Sequence, residues 1–171
     1  MTSEEHRKRA PDDLHVGVIT VSDSRSAAME EGEDKDESGR LIQERLEDAD
    51  YSSERVIIPD EEEDLSHLLE DWLEDPEIDA IVTTGGTGIA ERDITVDVAK
   101  EYFDKELPGF GETLRRTGFE SIGVPGIITR ATLGIADDKP VFCLPGAPNS
   151  VKVGMDLILT DLGHIVKHAR E

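Results

Sequence analysis

The feature that most constrains the fold of this chain is the alternation of short, β-branched apolar runs with stripes at helical spacing. His15–Val21, residues 55–58 and Ala80–Thr84 are apolar runs of strand length bounded by polar, proline or glycine turns, which predicts buried strands. Between them, Ile42, Leu46 and Ala49, and then Leu65, Leu68, Leu69, Trp72 and Leu73, recur at the spacing of an amphipathic helix, the first opening near Ser38. Residues 22–37 are polar and acidic and read as a mobile loop. A helix is expected from about Thr95 until Pro108-Gly109 breaks it, then a short one over 112–119. Residues 131–135 and 141–144 flank Asp137-Asp138-Lys139, a hairpin turn. Val151, Met155, Ile158, Leu162, Ile165 and Ala169 form one continuous stripe on a last helix. Strands that alternate with helices predict an α/β protein with a mostly parallel sheet covered on both faces, to which the hairpin adds an antiparallel edge. The 171 residues suit one domain, taken as 14–171, after a flexible charged segment over 1–13.

Composition narrows the setting. The single cysteine, Cys143, fits a reducing cytosol, and no run approaches the ~20 apolar residues of a membrane span, so a cytoplasmic protein is expected. Forty acidic residues against 18 basic ones give a net charge of −22. The charges lie between apolar runs, and lysines are few. That pattern is expected of a folded protein from a molar-salt, halophilic cytoplasm, where the Debye length falls to about 3 Å at 1 M. No basic stripe exists to neutralise phosphates, which argues against nucleic-acid binding.

The ends of the apolar runs agree with one another. Ser22, Asp23, Ser24 and Arg25 follow the first, Asp60 and Glu61 the second, Gly85, Gly86, Thr87 and Gly88 the third, and Pro145, Gly146, Ala147, Pro148, Asn149 and Ser150 the last. In a parallel sheet these four turns converge on one edge, where ligands bind. The third turn has neither the lysine of a Walker loop nor dinucleotide-binding spacing. Its glycines still let amides approach an anion, and Thr84 and Thr87 can add hydroxyl donors. In the last turn, Gly146 permits close approach, while Asn149 or Ser150 could cap the final helix. Asp60 and Asp93 stand beside these turns. A carboxylate next to an anion site is favourable only with a cation between them, and Mg²⁺ shared by carboxylates and phosphates meets that need.

Taken together, Thr83–Gly88 followed by Arg92-Asp93-Ile94-Thr95, the segment 107–112, Leu144-Pro145-Gly146, the opening 18–23, Ile58-Pro59-Asp60-Glu61 and Asp36-Glu37-Ser38-Gly39 resemble the molybdopterin-binding family of the MoaB/MogA type, over about residues 15–165. The resemblance implies a three-layer α/β/α sandwich that assembles as a homo-trimer or hexamer. It implies transfer of an adenylyl group from the co-substrate ATP to molybdopterin with Mg²⁺, the product passing to a downstream metal-insertion enzyme for molybdenum or tungsten. It matches Asp60 and Asp93 to the family's functional acids, either of them a Mg²⁺ ligand. Gly85, Gly86, Thr87 and Gly88 match its phosphate loop, and Pro145 to Ser150 a further ligand loop. The rival reading is a non-catalytic molybdopterin carrier or scaffold on the same fold. Arg25 and Arg130 are further candidate anion contacts. His164 and His168 read as solvated residues near a helix C-terminus, Cys143 and Trp72 as core, and the acidic stretch 30–37 as a solvated face.

Overall fold

Each of the five apolar runs becomes a strand of one sheet in the computed structural model, which describes Pro11 and residues 13–171. The expected flexible segment over 1–13 therefore lies outside the described residues, apart from Pro11 and Asp13. The strands are β1 (His15–Val21), β2 (Ser52–Ile58), β3 (Ala80–Thr84), β4 (Lys105–Glu106), β5 (Thr132–Ala136) and β6 (Lys139–Leu144). The helices are α1 (Asp23–Glu30), α2 (Glu37–Asp48), α3 (Glu62–Glu74), α4 (Thr95–Tyr102), α5 (Pro108–Ile122) and α6 (Pro148–Ala169). The six strands lie in the order β2-β1-β3-β6-β5-β4. β1, β2, β3 and β6 run parallel, and β5 and β4 complete an antiparallel flank.

Alternation along β1 divides the molecule into its layers. Val16 and Val18 face a core shared with Ile42 and Leu46 of α2, Leu114 of α5, and Val151, Met155 and Ile158 of α6. Ile19 and Val21 face the opposite core, with Leu65, Leu69 and Trp72 of α3 and Val98 of α4. Successive side chains of a strand point to opposite faces, so one apolar run feeds both layers and the sheet must be covered twice. Gly17 lies under Trp72, and a methyl group there would overlap the indole. Gly17→Ala is therefore expected to cost about 1–3 kcal/mol through overpacking, read as a lower urea midpoint with an unchanged slope. A midpoint within error of the wild type would show that Trp72 can move aside.

Several expectations need correction. Residues 23–30 form a helix where a mobile loop was expected. It has a single buried residue, Ala28, so it carries no stripe to read, and the Ser22 hydroxyl caps it by accepting from the Arg25 amide (3.4 Å). Pro108 ends no helix: α4 stops at Tyr102, the two-residue strand β4 intervenes, and Pro108 opens α5, where its missing N–H costs nothing. The hairpin turn is formed by Asp137 and Asp138, both at positive φ (46° and 61°), with Lys139 already in β6, and the outer edge of the sheet is β4. The last helix is interrupted at Asp161 (φ −156°), although Leu162 and Val166 remain buried beyond it. The preceding Thr160 hydroxyl donates to the Asp156 carbonyl (2.7 Å), a back-bond that competes with the helix ladder and bends it.

Candidate active site

The parallel strands deliver their C-terminal turns to one place. An open cleft of about 690 Å³ is lined by Ser22–Arg25 after β1, Asp60 after β2, Gly85–Gly88, Arg92 and Asp93 after β3, and Pro145–Ala147 with Ser150 after β6. It lies at the switch point where the chain leaves β1 for β2 on one side and β3 on the other.

The glycine loop is folded so that most of its amides are unused. Gly85 and Gly86 take positive φ (95° and 67°), and a side chain on either would strike the Val21 carbonyl or Thr95. The Gly85 amide donates to the Leu144 carbonyl (3.0 Å), and the Thr95 amide to the Gly86 carbonyl (3.0 Å). Among the described residues, the amides of Gly86, Thr87, Gly88 and Ile89 donate to no protein acceptor. Consecutive free amides on a glycine turn form a concave anion site. The Pro-Gly loop abuts it: a methyl group on Gly146 would sit 3.3 Å from the Gly85 Cα. Neither Asn149 nor Ser150 caps α6. Ala147 takes the N-cap position without a side-chain bond, and Pro148 is the first helical residue. The helix thus begins beside the cleft with its first amides uncapped, a second place where an anion is favoured.

Of the expected contact residues, Ser22, Asp23, Gly85, Gly86, Thr87, Gly88, Pro145, Gly146 and Ser150 line the cleft together with Asp60 and Asp93, whereas Thr84 and Asn149 do not. The Thr84 hydroxyl donates to the Pro145 carbonyl (2.9 Å) and so ties the two loops together. Asp23 and Asp60 clasp each other. The Asp23 amide donates to Asp60 Oδ2 and the Asp60 amide to Asp23 Oδ1, both at 2.8 Å. Asp93 Oδ2 accepts from the Ala90 amide (2.8 Å). Asp60 and Asp93 each keep their other oxygen free of protein donors. Arg25 and Arg92 border the cleft and form no ion pair with any described residue, which leaves two cations for an anionic ligand. Arg92 escaped sequence reasoning because an exposed arginine beside acids reads as an ordinary surface residue. Arg130 is not among the lining residues. Its Nε donates to the Gly88 carbonyl (2.8 Å), Nη2 to the Asp93 carbonyl (2.7 Å) and Nη1 to the Asp97 carboxylate (2.8 and 2.9 Å). Its guanidinium is committed to protein oxygens, and the idea of a direct anion contact is corrected accordingly.

Behind the cleft, Asp36 is fully buried rather than part of a solvated face. It accepts from the Gly39 amide (2.9 Å), the Thr20 hydroxyl (2.7 Å) and Arg55 Nη1 (2.7 Å), so it caps α2 while its charge is matched. Ser38, next to this cap, donates to the Gly146 carbonyl (2.7 Å) and steadies the Pro-Gly loop. Arg55 also donates to Asp34 (2.6 Å), and this holds the Asp34 carboxyl at about 2, below its ordinary 3.8. A carboxyl lowered on folding contributes stability that is complete above the unfolded value and is lost as the pH falls through the folded one. Asp34→Asn should therefore lose less stability than the wild type between about pH 4 and pH 2 in acid titrations followed by circular dichroism. Parallel curves would remove the Asp34–Arg55 bond from the acid response. Cys143 is buried, and burial pushes its thiol up to about 11, as expected of an unreactive core residue. His164 and His168 stack edge to face at 4.2 Å, and His168 Nδ1 lies 2.8 Å from Glu171, so the pair is engaged with protein groups rather than simply solvated.

An open, mostly parallel sheet with a cleft at its switch point, lined by a glycine loop and flanked by arginines that form no ion pair with any described residue, defines an α/β protein whose cleft favours anions. The chain matches the family described as "Probable molybdopterin binding domain" over residues 17–164, and it belongs to that family. It is 43% identical over 175 residues to a molybdopterin adenylyltransferase of Pyrococcus furiosus, with 100% of each chain covered. It is 40% identical to a molybdenum cofactor biosynthesis protein B of Halalkalibacterium halodurans, over 98% of this chain and 96% of that one. Its fold superposes on the crystal structure of the tungsten cofactor synthesizing protein MoaB from Pyrococcus furiosus with a TM-score of 0.81 at 42% identity, covering 95% of this chain and 100% of the other. The three-layer architecture expected from the resemblance is thereby confirmed.

Proposed function

We propose that this chain transfers the adenylyl group of ATP to the terminal phosphate of molybdopterin, with Mg²⁺, in molybdenum or tungsten cofactor synthesis. The observation that carries this reading is the pairing, in one cleft, of the free amides of Gly86–Gly88 with the uncapped start of α6 and two arginines that form no ion pair with any described residue. Two polyanions need such a place if they are to meet. The curated relatives named for this activity match over nearly their whole length.

The chemistry asks little of a general base. A phosphomonoester with a second pKa near 6 is largely dianionic at neutral pH. One of its oxygens bonds to the α-phosphorus of ATP, the bond from that phosphorus to the bridging oxygen breaks, and the electron pair leaves with pyrophosphate. The protein's contribution is alignment and charge neutralisation. The glycine loop would cradle one phosphate group, and the α6 N-terminus with Arg25 and Arg92 would hold the other. No group of three or more acidic, histidine or cysteine side chains among the described residues could hold a metal unaided. The free oxygen of Asp60 or Asp93 therefore fits a cation that takes its remaining ligands from phosphates and water, the usual habit of Mg²⁺. When bound, Mg²⁺ supplies neutralisation of the charge that develops on the phosphate oxygens.

The test is transfer from ATP labelled at the α-phosphate in molar KCl. Metal-dependent adenylylated molybdopterin and equimolar pyrophosphate are expected. Tight pterin binding without product would overturn the reading in favour of a carrier or scaffold. Self-association belongs to the same proposal. Ile89, Ile127 and Ile128 border one depression and are 74%, 52% and 46% exposed, an apolar cluster that self-association would cover. Light scattering decides between trimer and hexamer, and a monomer would remove this part. No helix among the described residues is long and apolar enough to cross a membrane.

A further inference from the structure

We infer that Arg130 is a positioning residue that sets the shape of the glycine loop and the place of Asp93, without touching substrate. The argument starts from peptide geometry. In a trans peptide the C=O of one residue and the N–H of the next point in opposite directions. The Arg130 amide takes the Thr87 carbonyl (2.7 Å), and its Nε takes the Gly88 carbonyl (2.8 Å). The N–H groups of Gly88 and Ile89 must then point away from Arg130, and these are amides with no protein acceptor. The clamp on the carbonyls thus orients the free donors. The same guanidinium takes the Asp93 carbonyl through Nη2 (2.7 Å), so the turn from Gly88 to Asp93 is closed at both ends by one rigid fork.

Two further contacts fix the fork itself. Asp97, on α4, accepts both bonds from Nη1 and is 63% exposed. Arg115 of α5 donates to the Ala131 carbonyl (2.9 Å) and holds the backbone next to Arg130. Neither Arg130, Asp97 nor Arg115 lines the cleft. Beside Arg130, the Thr129 hydroxyl is 2.8 Å from that of Thr87, so the glycine loop is held at successive positions from one short segment. A lysine could reach one of these acceptors but not three, because its ammonium is a single point on a flexible stem.

The kinetic part of this inference rests on the adenylyl-transfer reading, and the structural part does not. The test therefore uses two readouts on Arg130→Lys and Asp97→Asn. The first is amide hydrogen exchange at Ala90, Asp93, Ile94 and Thr95, whose amides are bonded within this loop. Exchange there is expected to rise about tenfold or more in Arg130→Lys and by less in Asp97→Asn, with β1 and β3 unchanged. The second is transfer kinetics, in which Arg130→Lys should lose roughly a hundredfold in kcat with KM for ATP within about threefold of the wild type. A raised KM with intact kcat would mean a direct phosphate contact, and unchanged exchange at the four amides would mean that no clamp exists; either overturns the inference. If Arg130→Lys does not fold, Asp97→Asn decides on the same exchange readout. If the wild type itself shows no transfer, the function falls, and exchange alone still decides the clamp.

Discussion

Asp93→Asn and Asp60→Asn are each expected to lower adenylyl transfer by roughly a hundredfold or more while the fold is kept. Asparagine is nearly isosteric with aspartate, and its amide oxygen can still accept the bond from the Ala90 amide at position 93 or from the Asp23 amide at position 60. What it removes is the anionic oxygen left free of protein donors, the one group at each position able to neutralise a cation between two polyanions. The two variants should differ in their dependence on Mg²⁺. On the proposed reading, replacing an aspartate that holds Mg²⁺ is expected to raise the Mg²⁺ concentration for half-maximal rate, and replacing one that does not is expected to lower the rate at saturating metal. Activity within about threefold of the wild type in both would remove these carboxylates from the mechanism, since loss of a single preorganised charge contact usually costs far more.

The second large effect concerns salt. Melting is expected to rise by about 10 °C or more between 0.1 M and 3 M KCl. Two like charges ~10 Å apart in water repel by roughly 0.4 kcal/mol, from 332/(80 × 10). With 40 acidic residues and only 18 basic ones, most carboxylates have no cation to pair with. At 0.1 M salt screening cuts each such contact to roughly 0.15 kcal/mol, so about twenty or thirty of them amount to a few kcal/mol, and each kcal/mol moves the midpoint by about 2–4 °C in a domain of this size. Screening at molar salt removes nearly all of it, because the Debye length falls from about 10 Å to 3 Å by 1 M. Sucrose that stabilises as much as KCl would point to general exclusion from the surface instead, and a midpoint flat in KCl would sink the idea that the acidic surface is an adaptation to salt.

Much of the fold was legible because hydrophobic periodicity is local. His15–Val21, Ala80–Thr84 and the stripe from Leu65 to Leu73 state their own conformation within a few residues, and the order of elements forces a parallel sheet. The convergence of four turns followed from that order alone. The helix over Asp23–Glu30 was not legible, since with one buried residue it owes its existence to the Ser22 cap and to docking beside β2. The strand Lys105–Glu106 exists only because β5 offers it an edge.

The polar side chains divide in the same way. The sequence by itself determined which residue types reach the cleft: glycines, three aspartates, and hydroxyls beside them. Tertiary structure alone decided what each polar group faces. Thr84 turns to Pro145, 61 positions away, Ser38 to Gly146, 108 away, and Arg130 to Gly88, 42 away. Asp36 became a buried, matched cap, while Arg25 and Arg92 form no ion pair with any described residue and border the cleft. An apolar side chain needs only to leave water, and any neighbouring apolar surface will serve, so its pattern can be read along the chain. A hydrogen bond requires one particular partner within about 3 Å and in line, and that partner is known only once distant segments have been brought together.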